Sequence, residues 1–183
     1  EPALWVRVNT AKALSSIWGI PVIPINHMEG HFVTAAFLKK DESVFDLSPI
    51  AFPALALLVS GGHSELVLSD AFGSYTKIGH TRDDAVGEAY DKVARLLGLQ
   101  YPGGPEIAKR AEIARKQKLP QFASLPSPML HSGDLDFSFS GLKTAVARYL
   151  ESTPQYKRAD VAASFQEAIV DVLLQKSLAA CKA

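Results

Sequence analysis

Residues 55–68 read Leu55-Ala56-Leu57-Leu58-Val59-Ser60-Gly61-Gly62-His63-Ser64-Glu65-Leu66-Val67-Leu68: a strand, a glycine turn and a returning strand. Leu55, Leu57, Leu58 and Val59 form a continuous apolar run, which predicts a strand covered on both faces. Gly61-Gly62 permits positive φ at both turn positions, and the hairpin is completed by residues 65–68. Two successive glycines also let backbone N–H groups approach a phosphate closely, with the Ser60 hydroxyl as a further donor. A plain hairpin and a phosphate cradle both fit this stretch alone.

Working outward, 183 residues suffice for one good core or two small lobes. Lys+Arg and Asp+Glu balance at 19 each, so no global field draws the chain to nucleic acid, and any RNA contact needs a local patch. The single cysteine, Cys181, excludes an internal disulfide framework and suits a reducing compartment. There is no signal peptide pattern and no apolar run of transmembrane length, which predicts a soluble, cytoplasmic protein without membrane contact. Residue 1 leads straight into a helical pattern (Ala11, Leu14, Ile17, Trp18), and the last helical pattern runs to Ala183 without a breaker. Both ends therefore read as cut from a larger protein.

N-terminal to the hairpin, residues 20–25 are apolar and β-branched but carry Pro21 and Pro24, which predicts a short or edge strand. Asn26 is a good N-cap with Glu29 three residues on, so a helix is expected to start there and continue to Leu38. On that helix His27 and His31 project about 40° apart, close enough to bind one metal ion or to hydrogen-bond locally. Glu29 points away from both and reads as a cap. Met28 stands where a zincin protease has its glutamate. Residues 39–52 form the expected lobe boundary.

C-terminal to the hairpin, residues 75–80 suit a third strand. Thr81-Arg82-Asp83-Asp84 offers caps for a helix over 85–97 that buries Val86, Tyr90, Val93 and Leu97 and closes at Gly98. Glu88, Asp91 and Arg95 lie on a second face. It is either a solvated face with a Glu88–Lys92 pair, or one where Asp91 accepts hydrogen bonds from a ligand hydroxyl. Gly103-Gly104 precedes Pro105 at the start of a helix over 106–116, where exposed amides favour an anion. Residues 119–135 are irregular and read as a surface flap. Residues 136–140 alternate like a strand before a helix opened by Gly141, and 159–180 form a long amphipathic core helix with Val161, Phe165, Ile169 and Val172 on one side.

Five motifs now stand in order: Ile25-Asn26-His27-Met28-Glu29-Gly30-His31, Leu58-Val59-Ser60-Gly61-Gly62-His63, Asp83-Asp84-Ala85-Val86-Gly87-Glu88-Ala89-Tyr90-Asp91-Lys92, Tyr101-Pro102-Gly103-Gly104-Pro105 and Phe137-Ser138-Phe139-Ser140-Gly141-Leu142-Lys143. In order and spacing the chain resembles the tRNA N6-adenosine threonylcarbamoyltransferase (TsaD) family, once described as O-sialoglycoprotein endopeptidases. The resemblance implies an α/β fold of the actin-like, sugar-kinase-like ATPase type, with two lobes of mixed sheets flanked by helices, incomplete in this chain. Residues 1–50 would end the first lobe and carry the metal-binding helix. Residues 53–183 would form the second lobe, with the phosphate hairpin and the nucleotide-binding helices.

The resemblance further implies transfer of a threonylcarbamoyl group from threonylcarbamoyl-adenylate to N6 of the adenosine 3′ of the anticodon in tRNAs reading ANN codons. By position, His27 and His31 would bind one divalent metal ion, iron or zinc. Leu58, Val59, Ser60, Gly61 and Gly62, with Asp91 and Gly104, would hold the adenylate, and ATP or ADP is a further nucleotide ligand. Partners would be tRNA, a paralogous TsaB-like subunit and further subunits of the modification complex. Against the family's pattern, the chain lacks an opening strand with Asp-Thr-Ser, a Gly-Gly-x-x-x-Asn motif and a metal-binding aspartate, and residues 1–9 lack glycines usual there. By itself this piece is therefore expected to be inactive, and a metalloprotease or a non-catalytic scaffold are the alternatives.

Overall fold

The computed structural model describes residues 2–35, 37–39, 45–47, 49–117 and 125–182. The chain divides into two compact units, Glu1–Pro49 and Ile50–Ala183. In the first, α1 (Pro2–Trp18) ends at Gly19, whose φ of 64° is the left-handed conformation glycine adopts at a helix C-terminus. Residues 20–26 form no strand, in contrast to the expectation, because Pro21 and Pro24 lack the N–H a ladder needs. Helix α2 (His27–Thr34) starts where its cap predicts, with Met28 N donating to Asn26 Oδ1 at 3.0 Å. It stops at Thr34, short of the expected Leu38. With Gly30 inside it and β-branched Val33 and Thr34 at its end it is a weak helix, and the following residues pair instead as β1 (Phe37–Lys39) with β2 (Phe45–Leu47), antiparallel.

In the second unit β3 (Ala54–Val59), β4 (Ser64–Ala71) and β5 (Ser74–His80) form an antiparallel meander with β4 at its centre. The central strand buries Ser64, Leu66, Val67 and Ser69. The apolar run of β3 is not covered on both faces as expected. It lies at the sheet edge, and Leu57 and Val59 are 40% and 44% exposed. Gly73, with φ of 81°, makes the β4–β5 turn, whereas Gly61 and Gly62 are not among the positive-φ glycines, so the expected left-handed turn at 61–62 does not form.

Among the described residues, four helices complete the unit: α3 (Val86–Leu96), α4 (Gly103–Lys116), α5 (Ser140–Ser152) and α6 (Arg158–Ala180). Helix α3 buries Val86, Ala89, Val93 and Ala94, with Leu97 buried beyond its end and Gly98 at φ 64°. Helix α6 packs along α4 and buries Val161, Phe165, Ile169 and Val172, and Phe165 meets Tyr90 edge to face at 5.2 Å. Each such apolar side chain contributes roughly 1.5–3 kcal/mol on burial. Of the expected flap, residues 119–124 lie outside the described residues. Residues 132–134 are tied to α6, because the buried Lys176 Nζ donates to Ser132 Oγ at 2.9 Å and to the Asp134 carbonyl at 2.6 Å.

The alternation over 136–140 yields one parallel bridge, Thr81 to Phe137, rather than a strand. The reason is Asp83. Its carboxylate accepts from Ser138 Oγ at 2.6 Å, Ser140 Oγ at 2.7 Å, Phe139 N at 2.8 Å and Ser140 N at 3.2 Å, which takes the amides a ladder would use and starts α5 instead. Phe137 and Phe139 are left fully buried. Burial by itself raises the Asp83 pKa, but the two hydroxyls and two amides outweigh it and hold the group below the ordinary carboxylate range. A depressed folded pKa means stability present above the unfolded value and lost as pH falls through the folded one. Asp83→Ala should therefore lower stability at neutral pH by about 1–2 kcal/mol and flatten the loss of stability below about pH 4, both read from urea melts across pH.

Candidate functional site

The candidate residues of the second unit cluster around α3. The hairpin between β3 and β4 is closed by residue 60 against residue 63: Ser60 N donates to the His63 carbonyl at 2.9 Å, and His63 N donates to Ser60 Oγ at 3.1 Å. The Ser60 hydroxyl, expected as a free donor, is thus engaged inside the turn, 3.4 Å from His63 Nδ1. Gly61 and Gly62 are exposed, and a Cβ built on either meets nothing within 4 Å. Their N–H groups make no hydrogen bond to described residues. Leu58 and Val59 lead into this open bend from β3.

Helix α3 meets the hairpin at its first turn. Val86 N donates to the buried Ser64 Oγ at 2.9 Å, and Gly87 N donates to the Ser60 carbonyl at 3.3 Å. A Cβ at Gly87 would lie 2.6 Å from Gly61 Cα, so only glycine fits there. Thr81, Arg82, Asp83 and Asp84 do not cap α3 as expected. The acceptor is Ser64, 22 residues earlier, while Asp84 pairs with Lys92. That pairing replaces the expected Glu88–Lys92 pair, and the hydrogen bond Lys92 donates to the Asp84 carboxylate raises the Lys92 pKa.

Asp91 follows Gly87 by four residues, on the same helix face and about 6 Å along the axis. Its Oδ1 accepts from Gly103 N at 2.7 Å, which caps the start of α4. This fits neither of the sequence-based alternatives alone. The carboxylate is part-buried and structural through one oxygen, while its other oxygen makes no hydrogen bond to described residues. The two glycines after it differ. A Cβ on Gly103 would sit 2.6 Å from Ala94 Cβ and 2.8 Å from Asp91 Cα, whereas one on Gly104 meets nothing within 4 Å. Gly103 is a packing glycine, and Gly104 presents an open backbone at a helix N-terminus. Helix α3 thus holds the glycine hairpin at Gly87 and the start of α4 at Asp91, one turn apart.

The first unit carries the other candidates. His27 and His31 stand one turn apart on α2, both exposed, with rings edge to face and Nε2 atoms 3.1 Å apart. Two imidazoles on one tetrahedral ion, at bond lengths near 2.0 Å, hold their nitrogens about 3.3 Å apart, so the pair fits two positions of a metal centre. Among the described residues no group of three histidines, cysteines or carboxylates could hold a metal ion. Among the described residues, no helix is long and apolar enough to cross a membrane.

Sequence reasoning missed the roles of Ser64 and Gly87 and gave Asp83 to the start of α3, where the structure gives it to α5. Gly87 carried a signal, since a glycine inside a helix costs about 1 kcal/mol against alanine and calls for a packing reason.

Residues 2–183 match the protein family described as TsaD: tRNA N6-adenosine threonylcarbamoyltransferase. A curated relative of that name from Variovorax paradoxus (strain S110) is 51% identical over 181 residues, 97% of this chain and 48% of the relative. One from Thiobacillus denitrificans (strain ATCC 25259 / T1) is 48% identical over 98% of the chain and 49% of its own length. Another from Burkholderia ambifaria (strain MC40-6) is 50% identical over 98% and 51%. The chain thus spans about half the length of the curated relatives it matches.

The glycine environments predict opposite responses to the same change. Gly103→Ala should destabilise by about 1–3 kcal/mol through overpacking against α3, while Gly61→Ala and Gly104→Ala should each stay within about 0.5 kcal/mol. Thermal or urea melts of the three variants provide the check, and equal losses at all three would contradict the assignment of Gly61 and Gly104 as open.

Proposed function

The chain belongs to the tRNA N6-adenosine threonylcarbamoyltransferase (TsaD) family, and from that premise we propose that the whole protein transfers threonylcarbamoyl from its adenylate to N6 of the adenosine 3′ of the anticodon in tRNAs reading ANN codons. The observation that carries this reading is the placement of two open glycine backbones, Gly61-Gly62 and Gly104, on either side of one helix turn bounded by Gly87 and Asp91. The Gly61 and Gly62 amides receive the adenylate phosphate and stabilise the charge that grows on it as AMP leaves. Leu58 and Val59 line the approach, and Ser60 acts by fixing the bend. The second oxygen of Asp91 accepts from the ribose hydroxyls while the first holds Gly103, and Gly104 lets the nucleotide lie close to the start of α4.

His27 and His31 hold one divalent metal, iron or zinc, completed by a ligand outside the described residues. When bound, such an ion supplies a Lewis acid for the threonylcarbamoyl group. Asn26 fixes the start of α2 and thereby keeps both imidazoles on one face. The whole protein would work in the cytoplasm with tRNA, a paralogous TsaB-like subunit and further subunits of the modification complex. ATP or ADP is a further ligand of the same nucleotide site. The metalloprotease reading is not favoured, because Met28 stands where that chemistry needs a glutamate.

Transfer from threonylcarbamoyl-adenylate to a tRNA transcript, followed in the full-length protein, tests the proposal. Asp91→Asn should weaken adenylate binding about 10- to 150-fold, equivalent to about 1.5–3 kcal/mol, with little change in melting temperature without ligand. Combined His27→Ala and His31→Ala should abolish bound metal and transfer together. Unchanged adenylate affinity in Asp91→Asn would remove that carboxylate from the site, and unchanged metal content in the double variant would remove the histidines.

A further inference from the structure

We infer that Gly87 and Ser64 are positioning residues that set the aim of the Gly61-Gly62 amides, and this inference rests on the adenylate reading proposed above. A helix N-terminus leaves its first amides without intrahelical partners. In α3 two of them are directed at the hairpin, with Val86 N donating to Ser64 Oγ at 2.9 Å and Gly87 N to the Ser60 carbonyl at 3.3 Å. The α3 terminus is thereby committed to holding protein. Ligand recognition falls to the hairpin, where Gly61 and Gly62 are exposed and their amides make no hydrogen bond to described residues.

The third contact is steric. Gly61 Cα occupies the space where any side chain at position 87 would begin, with the added Cβ 2.6 Å from Gly61 Cα, 3.0 Å from the Ser60 carbonyl oxygen and 3.2 Å from Gly61 N. All three atoms are backbone, so no side-chain rotation relieves the clash, and the hairpin must move by roughly 1 Å. Ser64 is fully buried at the first residue of β4, directly after the bend, and its hydroxyl is the only side-chain group among the described residues that caps α3 from outside the helix. Together the two hydrogen bonds and the close approach fix Ser60 and Gly61 from the α3 side while Gly61 stays exposed. Neither Gly87 nor Ser64 touches the ligand in this arrangement, so both act through the bend.

Gly87→Ala and Ser64→Ala in the full-length protein provide the test, with threonylcarbamoyl-adenylate as the probe. A backbone displaced by about 1 Å should raise the KM for the adenylate about 10- to 100-fold and leave the KM for tRNA unchanged. Without ligand, the Gly61 and Gly62 amide resonances should already be shifted. Ser64→Ala removes one oxygen and adds no bulk, so it keeps the test decisive if Gly87→Ala fails to fold. Folded variants with wild-type adenylate KM and unshifted glycine amides would overturn the inference. A different result separates out the underlying reading: if the adenylate leaves the Gly61 and Gly62 resonances of the wild-type protein unmoved, the phosphate assignment fails. In that case the ligand-free shifts in the variants still decide whether Gly87 and Ser64 set the bend.

Discussion

The close approach of two backbones, at Gly87 and Gly61, is the constraint on which the second unit turns. A helix can come this near a hairpin only where the helix lacks a side chain at the crossing, and a Cβ at 87 would stand 2.6 Å from Gly61 Cα. Because the helix is rigid, that crossing also places the next turn, where Asp91 holds Gly103, and Gly103 is itself too tightly packed for a methyl group. Two glycines that fill crossings therefore support neighbouring glycines that remain open. The distinction explains why glycines of similar appearance in sequence carry different duties.

A second junction keeps this arrangement attached to the rest of the unit. Three consecutive residues before α3 each reach a different element. Arg82 pairs with Asp134 and Asp136, Asp83 caps α5, and Asp84 pairs with Lys92 on α3. Arg82 and Lys92 are substantially exposed, so those ion pairs contribute little stability individually, and their role is to fix the path of the loop. Asp83 differs because four donors converge on one carboxylate, and losing it would leave the first turn of α5 without its cap.

What was legible in the sequence was local. The N-cap Asn26 marked the start of α2, the 3.6-residue periodicities marked α3 and α6, and the one-turn spacing of His27 and His31 foretold their facing rings. Long-range competition was not legible. Nothing near Val86 announces that its amide is capped by Ser64, and nothing near Phe139 announces that Asp83 will take its amide and turn an alternating segment into a helix start. The β3 run failed for a related reason, since apolar composition records what a strand is able to bury and not which neighbours cover it. The turn at Gly61-Gly62 was read as left-handed because glycine permits it. In the structure neither takes a positive φ, and the glycine that the close approach requires is Gly87 on α3.

Membership of the TsaD family and the geometry around α3 lead to one central claim: the open glycine amides hold the phosphate of an adenylate. The most direct measurement is a crystal structure of the full-length protein with a non-hydrolysable analogue of threonylcarbamoyl-adenylate. The account predicts a phosphate oxygen within about 3 Å of the Gly61 or Gly62 nitrogen, and the ribose hydroxyls within the same reach of Asp91. An analogue bound elsewhere, with no phosphate oxygen on the Gly61 or Gly62 amide, would contradict it.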